Sequence, residues 1–139
     1  GQAHALPLDA TKPESRAAFM DEVLHRFGKV DVLVNNVAGG AMKGERVWEM
    51  SDETFRSAFE INVFGTRDMI VRALPGMMAQ GWGRIVNVSS TIADRAAPSA
   101  DGPPYLDFHK TQGCSSYTSS KVALNLFTRA LAAELHGTG

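Results

Sequence analysis

Short β-rich runs alternate with longer stretches of helical periodicity along this chain, and few folds accommodate that order. The first run, Ala5 to Asp9, is partly apolar and stops at an acid. The second, Val30 to Val34, reads VDVLV, β-branched and nearly uncharged, which is a buried-strand signal. The third, Arg84 to Ser90, reads RIVNVSS. Between the first two, Thr11 followed by Glu14 predicts a capping box, with Pro13 tolerated in the first turn. Phe19, Met20, Val23, Leu24 and Phe27 follow at helical spacing, and Gly28 supplies a stop, so a helix is expected over residues 12–27.

Asn35 to Gly44 is rich in Asn and Gly and reads as a loop. Ser51 is a plausible N-cap, with Asp52 and Glu53 well placed against the helix dipole. Phe55, Phe59, Val63, Met69, Ile70 and Leu74 predict a long helix that ends near Pro75-Gly76. Met77 and Met78 read as packing residues. Gly81-Trp82-Gly83 is a turn. Residues 91–116 form a long irregular stretch carrying Pro98, Pro103 and Pro104. The last helix is expected from Ser116 to Leu135, with Val122, Leu126, Ala130 and Ala133 on one side and Gly137 as terminator. Strands separated by helices of this length build a parallel sheet with helices on both faces, an α/β fold. Sites in such sheets sit at the carboxyl ends of the strands.

Composition removes several function classes. The 139 residues suit one domain with its own core. With 14 basic and 15 acidic residues, the net charge of −1 leaves no footprint for nucleic acid or an anionic membrane. A lone Cys114 allows no internal disulfide and suits a reducing cytosol. No apolar run approaches the ~20 residues that span a bilayer, and the start Gly-Gln-Ala-His carries no secretory signal. A cytoplasmic protein is expected. The four His are scattered without ligand spacing, so no metal site is expected.

The three strand ends carry Asp9, then Asn35-Asn36, then Ser89-Ser90. The last helix opens with Tyr117-Thr118-Ser119-Ser120-Lys121, which puts Tyr117 and Lys121 one turn apart on a shared face. An ammonium beside a phenol favours the phenolate over the reference phenol, whose pKa is about 10. Tyr117 is thereby a candidate proton donor and acceptor. A hydroxyl from Ser89 or Ser90 could hydrogen-bond a substrate oxygen. Each piece has a bland reading when taken alone. A Tyr at a helix start is commonly a core residue with a satisfied hydroxyl, and a Ser pair is commonly turn chemistry. Their joint order at these boundaries is far more specific.

Five segments together resemble the central portion of the short-chain dehydrogenase/reductase family. They are Leu8-Asp9-Ala10-Thr11, Asp31 to Gly39 (DVLVNNVAG), Ile61 to Thr66 (INVFGT), Gly83 to Ser90 (GRIVNVSS) and Tyr117 to Lys121 (YTSSK). They stand in the family's order and span almost the whole chain. The resemblance implies a Rossmann-type, doubly wound parallel sheet. It also implies hydride transfer between NADP or NAD and a small carbonyl or alcohol substrate. Tyr117 would be general acid in reduction and base in oxidation. Lys121 would assist it and hydrogen-bond the nicotinamide ribose. Ser90 would polarise the carbonyl, with Ser89 as fallback. Asn62 would hold a water and extend a proton relay from the Lys; without the resemblance it reads as a solvated or helix-kinking Asn. Asp9, with Ala10 beside it, would contact the adenine; its bland reading is a turn or N-cap acid, and the two roles are compatible. Asn35 and its neighbours would lie beside the adenine ribose and brace the sheet.

Three departures from the family pattern stand out. The turn reads Asn35-Asn36-Val37-Ala38-Gly39-Gly40, so either Val37 and Ala38 replace the family's Ala-Gly or one residue is inserted. Any of Val37, Ala38 and Gly39 could make the cofactor contact. The Ser90-to-Tyr117 interval is long, as in the carbonyl-reductase-like branch, which tends to use NADPH and to be monomeric. On this insertion Tyr105, Phe108 and His109 are expected to line or cover the substrate site, or equally to pack a surface flap. Finally, the Gly-rich phosphate turn is missing: Gly39-Gly40 with Gly44 has the wrong spacing, and Gly81-Trp82-Gly83 precedes a strand. The expectation is therefore the central part of one cofactor-binding catalytic domain, lacking its first βα unit and its C-terminal part. In many family members the helices matching residues 51–75 and 117–135 pair across a dimer axis, which sets a homo-oligomer against the monomer. Two rival readings remain: a sugar-nucleotide epimerase or dehydratase, disfavoured by Asn35-Asn36 and Asn62, and a non-catalytic Rossmann-like fragment.

Overall fold

A computed structural model of the chain describes residues 1–39, 45–94 and 114–138. Its elements run α1 (Pro13–Phe27), β1 (Val32–Asn35), α2 (Asp52–Phe59), a π-helical turn (Glu60–Gly65), α3 (Thr66–Gln80), β2 (Arg84–Asn87), α4 (Thr91–Asp94) and α5 (Ser115–Glu134). The two strands are parallel, with Val32 opposite Arg84, Leu33 opposite Ile85, Val34 opposite Val86 and Asn35 opposite Asn87. The continuous helical crossover from α2 through α3 links them, as parallel pairing requires. Arg84 N–H donates to the Asp31 carbonyl and Val88 N–H to that of Asn35, extending the ladder at both ends.

Residues 5–9 form no strand. A strand exists through its ladder, and this run meets none among the described residues. Asp9 closes a turn instead: its carbonyl accepts from Lys12 N–H, and its own N–H donates to Ser15 Oγ at 2.9 Å. The Thr11–Glu14 capping box does not form either. Thr11 Oγ1 donates to Asp9 Oδ1 at 2.5 Å, and Lys12 becomes an N-cap without a side-chain cap. At the other end Gly28 stops α1 at φ 77°, as expected.

Ser51 caps α2 by accepting from Thr54 N–H at 3.1 Å, also as expected. The helix then continues through Pro75 and stops at Gly81 (φ 67°). Burial of Met77 beyond the proline holds that last turn against the core, whereas Met78 is half-exposed. One cluster forms the core: Met20 of α1, Leu33 of β1, and Met69, Ile70, Ala73 and Met77 of α3. Phe19, Val30, Ile85 and, from α5, Phe127 and Leu131 pack against it. Each fully buried apolar side chain of this size stabilises by about 1.5–3 kcal/mol. Among the described residues these helices cover one face of the sheet. Val32, Val34 and Val86 on the opposite face are about half-exposed.

The expected buried face of the last helix is turned outward. Leu126 is 61% exposed, and Ala130 and Ala133 are exposed too. The buried positions are Ser116, Thr118, Ser120, Lys121 and Leu124. Apolar residues stand on several sides of this helix, and Ser120 and Lys121 are held in the interior by Asn62 and the Val88 carbonyl.

Candidate active site

The carboxyl ends of β1 and β2 converge on the start of α5 and on the π turn. Asn35 extends its side chain into the sheet's end, where Nδ2 donates to Asn87 Oδ1 at 2.9 Å. Asn87 Nδ2 donates onward to Thr128 Oγ1 at 3.0 Å, and that hydroxyl donates to the Leu124 carbonyl. The two strand ends are thus tied to each other and to α5 by one chain of side chains.

Asn62 sits in the π turn and is fully buried. Its Oδ1 accepts from Gly39 N–H at 3.2 Å, while Nδ2 donates to the Gly39 carbonyl and to Ser120 Oγ, both at 2.9 Å. Ser120 Oγ in turn donates to the Tyr117 carbonyl at 2.7 Å. Asn62 therefore fixes the loop after β1 against the first turn of α5. A π turn widens the helix by one residue and frequently marks a functional site. Here it aims the amide inward.

Lys121 is only 1% exposed. Its Nζ donates to the Val88 carbonyl at 2.8 Å and lies 5.8 Å from the Tyr117 ring centroid. Burial pushes its ammonium below the usual 10.5, because desolvation penalises the charge. Ser90 opens α4: its Oγ accepts from Ile92 N–H at 3.4 Å and its carbonyl from Ala93 N–H. The hydroxyls of Ser89, Ser115 and Ser116 are buried and have no hydrogen-bond partner among the described residues. An unsatisfied buried hydroxyl costs about 1–3 kcal/mol, so three of them at the end of β2 and the start of α5 mark a region suited to a polar ligand. Among the described residues no cluster of His, Cys, Asp and Glu could hold a metal ion. None of their helices is long and apolar enough to cross a membrane.

Comparison with known proteins gives the same picture. A family profile described as "Enoyl-(Acyl carrier protein) reductase" matches residues 1–139. The 7alpha-hydroxysteroid dehydrogenase of Escherichia coli K12 is 33% identical over 135 residues, covering 97% of this chain. The chain belongs to the short-chain dehydrogenase/reductase family. A short-chain dehydrogenase from Streptomyces avermitilis superposes with a TM-score of 0.80 at 31% identity, over 98% of this chain and 45% of that one. A metagenomic short-chain oxidoreductase in complex with NADP superposes at 0.79 with 29% identity, over 99% of this chain and 56% of its own. These superpositions establish the Rossmann-type α/β fold. The chain spans 46% of the length of the Escherichia coli dehydrogenase.

In this member of the short-chain dehydrogenase/reductase family the structure brings Asn62, Tyr117, Lys121 and the Ser89-Ser90 strand end into one constellation. Of the three residues Val37, Ala38 and Gly39, only Gly39 is locked to Asn62; the other two are exposed. Asn62 is neither solvated nor free, since both its amide hydrogens are committed. Asp9 is exposed and its carboxylate binds its own turn, so the bland reading of that acid is realised. Tyr105, Phe108 and His109 lie outside the described residues, and of the interval 91–116 the ends form helix, Thr91–Asp94 and the start of α5. Sequence reasoning missed Ser120, whose hydroxyl receives Asn62, and Arg16, described below. A Ser within a Ser-rich helix start and one of two Arg on a polar-looking helix carry no signal by which to single them out.

Proposed function

We propose that the full-length protein is an NAD(P)-dependent oxidoreductase acting on a small carbonyl or alcohol, with Tyr117 as its proton donor and acceptor. One observation carries this reading. Lys121, fully buried, holds its ammonium beside the Tyr117 ring while anchored to the Val88 carbonyl. Burying a lysine is costly unless partners meet its charge, and this one lies one helical turn from the phenol that would exchange the proton.

The residues fit a nicotinamide cofactor. Lys121 has three donors, one of which goes to the Val88 carbonyl, and the Ser89 hydroxyl stands just beyond that carbonyl. A bound nicotinamide would supply or accept the hydride. In the reducing direction Tyr117 gives its hydroxyl proton to the substrate oxygen, and in the oxidising direction it takes that proton back. Ser90 holds the same oxygen through its hydroxyl, with Ser89 next in line. Asn62 keeps Gly39 and the Tyr117 turn in register. Asp9, Ala10 and Asn35 lie on the cofactor's adenine side. The metagenomic relative's bound NADP supports NADP over NAD. The single Cys favours a reducing compartment, the cytoplasm.

Tyr117→Phe keeps the ring and removes the proton. It should lower kcat by about 10²–10⁴-fold and leave the cofactor Kd within a factor of two. Stopped-flow turnover and cofactor fluorescence titration on the full-length protein read both quantities. Turnover near wild type would overturn the assignment. Ser90→Ala and Ser89→Ala in the same assay decide between the two hydroxyls.

A further inference from the structure

Among the described residues Arg16 is the most deeply buried cation after Lys121, with its side chain 5% exposed. It stands on α1, yet every partner lies on another segment. Nη1 donates to the Ala10 carbonyl at 2.7 Å. Nη1 and Nη2 both donate to Glu60 Oε1 at 3.1 Å. Nε donates to Asp68 Oδ2 at 3.0 Å, and Asp68 Oδ1 accepts from Arg72 Nε at 3.1 Å. Glu60 opens the π turn that carries Asn62. The same turn closes on Gly65, where a Cβ would stand 3.2 Å from the Ala10 carbonyl oxygen and 3.5 Å from Arg16 Nη1. The turn after Asp9 therefore presses on one end of the π turn, while Gly39 is bound to Asn62 within it.

A buried ion pair is poor evidence for stability, since apolar residues of equal volume commonly do as well or better. What a guanidinium adds is geometry: five donors in a rigid fork fix several acceptors at once. We infer that Arg16 is a positioning residue that clamps the Asp9–Thr11 turn to the Asn62 π turn, and so sets the adenine side of the cofactor site relative to the proton-transfer side. The inference rests on the function proposed above.

The test compares two ligands on the full-length protein by calorimetry: the whole dinucleotide, NADPH, and its reduced nicotinamide mononucleotide half. Arg16→Met should weaken NADPH binding tenfold or more and leave mononucleotide binding within twofold. Arg16→Lys restores the charge without the fork and should fall between. Gly65→Ala pushes on the Ala10 carbonyl from the other side and should weaken NADPH selectively as well, which keeps the test open if Arg16→Met fails to fold. Amide exchange at Thr11 should accelerate in all three. Unchanged NADPH affinity in the folded variants overturns the clamp, and so does an equal loss for both ligands, which signals general loosening. A wild-type protein that binds neither ligand overturns the functional reading itself and the clamp with it. A wild type that binds both, with variants indifferent, overturns the clamp alone.

Discussion

Asp9 commits its carboxylate to its own turn. Thr11 Oγ1 and Thr11 N–H both reach Oδ1, and Lys12 Nζ lies 3.4 Å from Oδ2. The Thr11 hydroxyl is the largest cause holding this carboxyl below the usual 3.8, followed by the Thr11 N–H and, more weakly, Lys12. A depressed carboxylate stabilises the fold above its unfolded pKa and ceases to do so as pH falls through the lower, folded value. Thr11→Val keeps the backbone bond and deletes the hydroxyl, so the Asp9 carboxyl should rise toward 3.8 and the acid limb of unfolding should shift upward. Carboxyl-carbon NMR titration reads this directly, and an unmoved Asp9 would contradict it. At this scale the sequence displayed the residue types of the site well. Tyr117, Lys121 and Asn35 were recognisable because their spacing and element ends carry a pattern, and Asn62 only through the family resemblance. Arg16, Ser120 and the Val88 carbonyl were not, because a partner from a distant segment leaves no local periodicity, and a backbone oxygen carries no residue type at all.

The elements tell a different story about what patterns can carry. α1, α2 and α3 follow apolar spacing, and their caps at Ser51 and Gly28 follow capping chemistry. α5 reverses its expected face because Ser120 and Lys121 are held inward by partners from other elements, Asn62 and the Val88 carbonyl, which no single-helix pattern encodes. Pro75 misleads in the same way. A proline in a helix interior removes one backbone hydrogen bond and crowds the preceding turn, yet α3 runs five residues further to Gln80. Tertiary burial of Met77 outweighs the local penalty. Pro75 itself is exposed, so Pro75→Ala should restore the missing donor to the Val71 carbonyl with no loss of packing. The expected gain is about 1–3 kcal/mol, seen as a higher midpoint in urea with an unchanged slope. A lower midpoint would mean that the ring itself packs.

At the scale of the molecule, the sheet presents its two faces unequally. Leu33 and Ile85 point into the core, and Asn35 and Asn87 pair at its carboxyl end. Their alternates, Val32, Val34, Val86 and Val88, are between 38% and 57% exposed. β-branched residues on both faces of a parallel strand are the mark of a sheet covered on both sides, and among the described residues one cover is in place. The outer edge of β2 also borders a cavity of about 350 Å³ lined by Met77, Trp82, Ile85, Leu131 and Leu135. A half-exposed valine row on an uncovered sheet face is a surface that binds hydrophobic dyes. Residues 1–139 produced by themselves should therefore enhance anilinonaphthalene sulfonate fluorescence while folded, and Val34→Thr with Val86→Thr should cut that signal roughly twofold. The pair lies directly across the ladder, so both substitutions act on one patch and leave the Leu33–Ile85 side untouched. The full-length protein should show little of the signal. A folded 1–139 polypeptide that leaves the dye dark would show that this face is satisfied within the chain, and an enhancement that survives the double substitution would move the dye site to the cavity beside β2.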